Sequence, residues 1–114
     1  MEENLKLSQL KSFYGTENYY NVMGTKVTDG VKYIMDNGYG WLVIDAIIIC
    51  RMKLRNFDFI KIKLKVNKEK ETAEAIYTDG DGKIIFKQKY EWTDAEAEPE
   101  LYYVNNLLML VNEY

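Results

Sequence analysis

Residues 59–66 read FIKIKLKV, with Ile60, Ile62, Leu64 and Val66 alternating with Lys61, Lys63 and Lys65. Successive side chains of an extended chain point to opposite faces, so this spacing predicts a strand with one buried and one wet face. The residues that follow keep the same period. A second strand is expected at about 72–78, and the Asp79-Gly80-Asp81-Gly82 stretch then turns the chain into a third at 83–92. In that third strand Ile84, Phe86, Tyr90 and Trp92 should share a face. Residues 101–104 and 107–111 read as a last strand pair around Asn105-Asn106, a dipeptide suited to a tight turn. DAEAEPE (94–100), with the only Pro, reads as an exposed connection.

Before residue 57 the period is helical. Leu5, Leu7, Leu10 and Phe13 suggest a short N-terminal helix. Thr28 and Asp29 precede VKYIMDN as an N-cap pair, with Gly38 placed as the C-cap. Residues 41–53 are apolar nearly all round, and periodicity alone does not separate buried helix from buried strand there. Their length favours helix, since about 13 residues is long for a strand. The expected fold is therefore α+β, with short N-terminal helices packed on an antiparallel meander of about four to five strands. It forms a single domain over 1–114, helical to about residue 54 and sheet from about 57 to 112.

The 114 residues contain no His and a single Cys. The usual general base near neutral pH is missing, and so are Cys/His zinc sites and Ser-His or Cys-His nucleophile systems. An intramolecular disulfide cannot form. DGDGK fails as a calcium loop, because the bidentate Glu would have to stand at Tyr90. No cofactor, no metal and no enzymatic activity are expected. The start MEENLK lacks a signal-peptide pattern, and the longest apolar run, residues 41–50, is short of the roughly 20 residues of a membrane span. A cytoplasmic location and no membrane partner follow as expectations.

In order, FYGTENYY (13–20), TDGVKY (28–33), WLVIDAI (41–47), TDGDG (78–82), EWTD (91–94) and LLMLVNEY (107–114) resemble an uncharacterised family of small bacterial and phage-borne proteins, a domain of unknown function. The resemblance covers nearly the whole chain. It departs at the end, where Val111-Asn112-Glu113-Tyr114 stands in place of a common Pro-Ser-Glu-Tyr, and at IIIC (47–50), which replaces a more polar helix continuation. The resemblance implies no activity. Occurrence on mobile elements implies an accessory or anti-defence role, of the anti-CRISPR kind.

Several residues are candidates for function. Asp45 sits within WLVIDAIIIC, where an ionised carboxylate needs a partner. It is either a structural acceptor, for Tyr hydroxyls or backbone N–H groups of the GTENYY turn, or one wall of a small-molecule or nucleotide pocket with Thr16 and Glu17. The structural reading is favoured. Tyr14, Tyr19, Tyr20 and Tyr39 are candidate interface anchors. Asp94, Glu96, Glu98 and Glu100 alternate, so an extended chain presents them on one side to a basic partner. The net charge of −3 hides a segregation, because residues 51–70 hold eight basic residues against Asp58 and Glu69. Lys61, Lys63 and Lys65 within that stretch are candidate phosphate contacts, although the overall acidity argues against direct nucleic-acid binding. The expected function is that of a non-enzymatic binding protein whose partner is another protein, such as a nuclease or ribonucleoprotein. Self-association stays open.

Overall fold

The computed structural model describes residues 15–114. The predicted helix over Leu5–Phe13 and the candidate Tyr14 lie outside the described residues. From residue 19 the chain forms a hairpin of β1 (Tyr19–Val22) and β2 (Thr25–Thr28), then helix α1 (Asp29–Ile34). A wide turn over Met35–Tyr39 leads into helix α2 (Gly40–Met52). Five strands follow: β3 (Phe59–Asn67), β4 (Thr72–Thr78), β5 (Ile84–Tyr90), β6 (Glu100–Val104) and β7 (Leu107–Leu110), with a short 3-10 turn at Val111–Glu113.

All seven strands join one sheet in the order β1-β2-β7-β6-β3-β4-β5. This corrects the expected meander of four to five strands in two ways. Among the described residues, the stretch read as helical contains the β1–β2 hairpin, and both described helices lie between β2 and β3. The sheet is also mixed, because β2 runs parallel to β7, with Lys26 opposite Leu107 and Val27 opposite Leu108. Asn106 closes that long-range pairing. Its carbonyl accepts from the Lys26 N–H, its Oδ1 accepts from the hydroxyls of Thr25 and Tyr103, and its Nδ2 donates to Gly24 O.

The elements form where local chemistry favours them. Thr28 caps α1, its hydroxyl accepting from Val31 N, and Gly38 leaves the helix at φ +96, a conformation that costs glycine little. α2 is a helix, as its length suggested. Asn105 and Asn106 take φ of 51 and 60, the left-handed pair that a two-residue hairpin turn requires. Asp79 holds the DGDG turn, its Oδ1 accepting from the N–H groups of Asp81 and Lys83.

One face of the sheet is the core. Ile60, Ile62 and Leu64 of β3, Ala75 and Tyr77 of β4, Leu101 of β6 and Leu108 of β7 are fully buried against Val31, Ile34, Leu42, Val43, Ala46 and Ile47 of the helices. The helical stretch Asp29–Met52 has the length and mean hydropathy, 1.2, of a membrane span. Its kink at Asn37–Gly38 and its packing on the sheet make it a core helix here.

Two further expectations are corrected. DAEAEPE is no loose connection: Ala95, Ala97 and Pro99 are buried while Asp94, Glu96 and Glu98 are exposed. The small residues seat against Tyr39, whose hydroxyl accepts from the N–H groups of Glu96 (3.1 Å) and Ala97 (2.9 Å) and donates to Ala97 O. Pro99 O accepts from Leu64 N, which extends the edge of the β3–β6 pairing. In β5, Phe86 and Tyr90 do face the core, but a register shift at Tyr77/Thr78 leaves Ile84 50% exposed. Trp92 lies past the end of the strand at φ +62 and is 87% exposed.

Candidate functional site

Asp45 lies on α2, half-buried, and accepts the Tyr90 hydroxyl at 2.8 Å. The donor is Tyr90 of β5, where the sequence reading expected Tyr hydroxyls or backbone N–H groups of the GTENYY turn. Burial, then the hydrogen bond to Asp45, raises the Tyr90 phenol above its ordinary range. Trp41 packs edge-on against Tyr90, 4.6 Å between centroids, and stacks with Tyr39. Thr16 and Glu17 are elsewhere. Thr16 Oγ1 accepts from Asp29 N, and Asp29 Oδ2 accepts from the N–H groups of Glu17 and Asn18, which holds the Asp29 carboxyl below its usual pKa. That knot sits beside β1 at one edge of the sheet, whereas Asp45 is bonded to β5 at the other. The three residues do not share a pocket. A cleft of about 460 Å³ at the ends of β3, β4 and β5 is lined by Tyr90, Lys65, Glu74 and Lys89, with Asp45 absent from its wall.

With a single donor to satisfy among the described residues, Asp45→Ala should cost about 1 kcal/mol and Asp45→Asn, which keeps an acceptor oxygen, less. Urea unfolding of both variants checks this, and an Asn variant weaker than the Ala variant would contradict it. Tyr77 presents the opposite case. Its side chain is fully buried and its hydroxyl has no hydrogen-bond partner among the described residues. Burial raises the phenol well above its ordinary range. Tyr77→Phe should leave the edge-to-face contact with Phe86 intact and raise stability by about 1 kcal/mol, since an unsatisfied buried hydroxyl is removed. A loss of that size on denaturant unfolding would mean that the hydroxyl has a bound partner. Cys50 is buried beside these groups, and burial pushes its thiol up to about 12, which leaves no reactive thiolate near neutral pH.

The candidate anchors separate. Tyr39 is fully buried and holds the acidic segment, so it is not an interface anchor. Tyr19 and Tyr20 are both exposed, at 56% and 36%, and strand alternation turns them to different faces, Tyr19 opposite Thr28 and Tyr20 opposite Val27 with Lys32 over its ring. Of the acids, Glu98 accepts from Val66 N at 2.7 Å and Glu100 pairs with Lys61 at 3.0 Å, an interaction that raises the Lys61 pKa. Both carboxylates act within the fold. Asp94 and Glu96 complete the exposed acidic row.

The sheet face turned away from the helices gathers residues that the sequence scatters. Register places Lys61, Lys63 and Lys65 of β3 on that face, with Thr78, Ile76 and Glu74 opposite them on β4. The row continues across β4 to β5, putting Lys87 beside Ile76 and Lys89 beside Glu74. Lys26 of β2 lies on the same face beside Leu107 of β7. Toward β6, Phe59 and Tyr102 meet at 4.9 Å between centroids, and Tyr114 packs edge-on against both. Sequence reasoning missed Lys26, Lys87, Lys89, Phe59 and Tyr102, whose common face depends on pairings between distant strands. The only signal available was the alternation within each strand.

Neither curated proteins nor solved structures offer a match to this chain. A family model matches residues 4–114, nearly the whole sequence. The chain that carries this lysine-rich open sheet therefore belongs to the family of unknown function DUF6876.

Proposed function

We propose that the protein is a non-enzymatic binding protein that acts by covering a protein partner, with the outward face of the sheet as its docking surface. The observation that carries this reading is the asymmetry of the sheet. Helices bury one face, while the other presents Lys63, Lys65, Lys87 and Lys89 exposed, in a chain whose net charge is −3. A face on which lysines outnumber carboxylates, on a protein of net negative charge, steers a complementary partner and orients it on arrival. Tyr19 and Tyr114, at 56% and 74% exposure, supply aromatic surface at the border of the same face. Aromatic anchors ringed by charge are where interface energy concentrates. Inhibition of a bacterial defence nuclease is one action of this class.

The test compares tagged wild-type protein with a Lys63→Glu/Lys65→Glu variant and with a Lys53→Glu variant, whose change lies at the end of α2. All three should fold alike. A partner captured by wild type and Lys53→Glu, and lost by the double reversal, is the expected result. Equal capture by all three overturns the assignment of the docking face.

A further inference from the structure

Resting on the reading that the outward sheet face docks a partner, we infer that the partner presents an acidic protein segment bearing one bulky apolar side chain, which seats in the groove between Tyr19 and Tyr114. That groove has a volume of about 300 Å³ and is lined by Val104, Leu107 and Met109, with Lys26 and Asn105 at its margin. Its size is at the lower end of binding cavities, enough for one large side chain. Its lining combines aliphatic side chains with two tyrosines, and the charged side chain among the described residues that line it is Lys26. Beyond β6, roughly 10 Å away at the spacing of adjacent strands, the lysines of β3 begin. An occupant that fills the groove and continues over the sheet therefore meets cations on its way.

The pattern of those cations favours a protein over a nucleic acid. Glu74 stands between Lys65 and Lys89 in one row across the sheet, and Glu100 pairs with Lys61, so carboxylates interrupt any track for a phosphate backbone. Every cation at an outward strand position is a lysine, a point charge without the fork that grips phosphate bidentately. Tyr114 meets Phe59 and Tyr102 edge-on and those two rings tilt against each other, unlike an array of open ring faces on which successive bases stack. Spaced carboxylates on a protein segment suit the interrupted pattern, because they can alternate with neutral residues opposite Glu74 and Glu100.

The experiment titrates isotope-labelled full-length protein with a short synthetic peptide of glutamates flanking one tryptophan, followed by backbone and methyl chemical shifts. Controls carry lysines for the glutamates or Ala for the tryptophan, and an oligothymidylate of matched length stands for nucleic acid. The expected result is saturable shifts at Tyr19, Lys26, Leu107 and Met109. Tyr19→Ala and the Lys63→Glu/Lys65→Glu pair should each weaken the peptide about tenfold with the remaining spectrum unchanged, and the reversed variant should gain affinity for the lysine peptide. No saturable peptide binding overturns the inference. So does tighter binding of the oligothymidylate through the same lysines, or lysine-dependent self-association without peptide, and in both of those cases the docking face stands while its occupant changes. Both readings fall if neither probe binds and partner capture ignores the lysine reversal.

Discussion

Tyr39→Phe should destabilise the protein by about 2–3 kcal/mol, a large effect for the loss of one oxygen. The hydroxyl is fully buried and serves three backbone groups: it accepts from the N–H of Glu96 and of Ala97 and donates to Ala97 O. Phe keeps the ring and its stacking on Trp41 but strands two donors, the buried Ala97 N–H and the part-buried Glu96 N–H. An unsatisfied buried donor costs roughly 1–3 kcal/mol, far more than the net value of a typical hydrogen bond. Detachment of the segment would also uncover Ala95 and Ala97. Urea unfolding should show a lower midpoint, and amide exchange at residues 96 and 97 should quicken. Stability within about 0.5 kcal/mol of wild type would mean that water replaces the hydroxyl and that the segment is held by other contacts.

Glu113→Ala should cost a similar amount, about 2–3 kcal/mol. The Glu113 carboxylate accepts from the Thr28 hydroxyl at 2.5 Å, from Gly30 N at 3.0 Å and from Leu110 N at 2.9 Å, joining the C-terminal turn to the first turn of α1. Bonds to an ionised group are the stronger kind, and a negative charge at a helix N-terminus is favoured by the exposed peptide dipoles. Gly30 fits the same knot. A Cβ there would come within 2.6 Å of both Glu113 Oε1 and Leu110 Cδ1, so Gly30→Ala should force the carboxylate away and reproduce part of the loss. Thermal unfolding of Glu113→Ala should fall by roughly 10 °C on the usual scaling for a domain of this size. An unchanged midpoint would show that the C-terminal turn is not tied to α1 in solution.

Those two residues show where the sequence was and was not readable. Alternation in FIKIKLKV specified that Ile60, Ile62 and Leu64 are buried, because period two is a local property, whereas in β5 it placed Phe86 and Tyr90 but not Ile84 or Trp92. The Thr28 cap, the Asn-Asn turn and the DGDG turn were equally local. The parallel β2–β7 pairing was not, since it is fixed by Asn106 reaching residues 24–26 across about eighty positions of chain. TKVT (25–28) offers only four residues beside a strong helix signal, too little for a strand to be recognised. The apolar members of DAEAEPE are Ala and Pro, whose small size concealed that they are buried. At the candidate surface, Lys61, Lys63 and Lys65 were visible as a basic row. Lys26, Lys87 and Lys89 joined them only through register.

The account rests on the claim that the outward face of the sheet is where a partner binds. Lysine footprinting tests it most directly: the captured complex and the free protein are treated with an amine-reactive acylating reagent, and modification is compared residue by residue. Lys63, Lys65, Lys87 and Lys89 should be protected in the complex, together with Lys26 at the groove, while Lys53 at the end of α2 reacts as in the free protein. Protection at Lys53, with the sheet lysines fully reactive, would place the partner on the helical side and contradict the account.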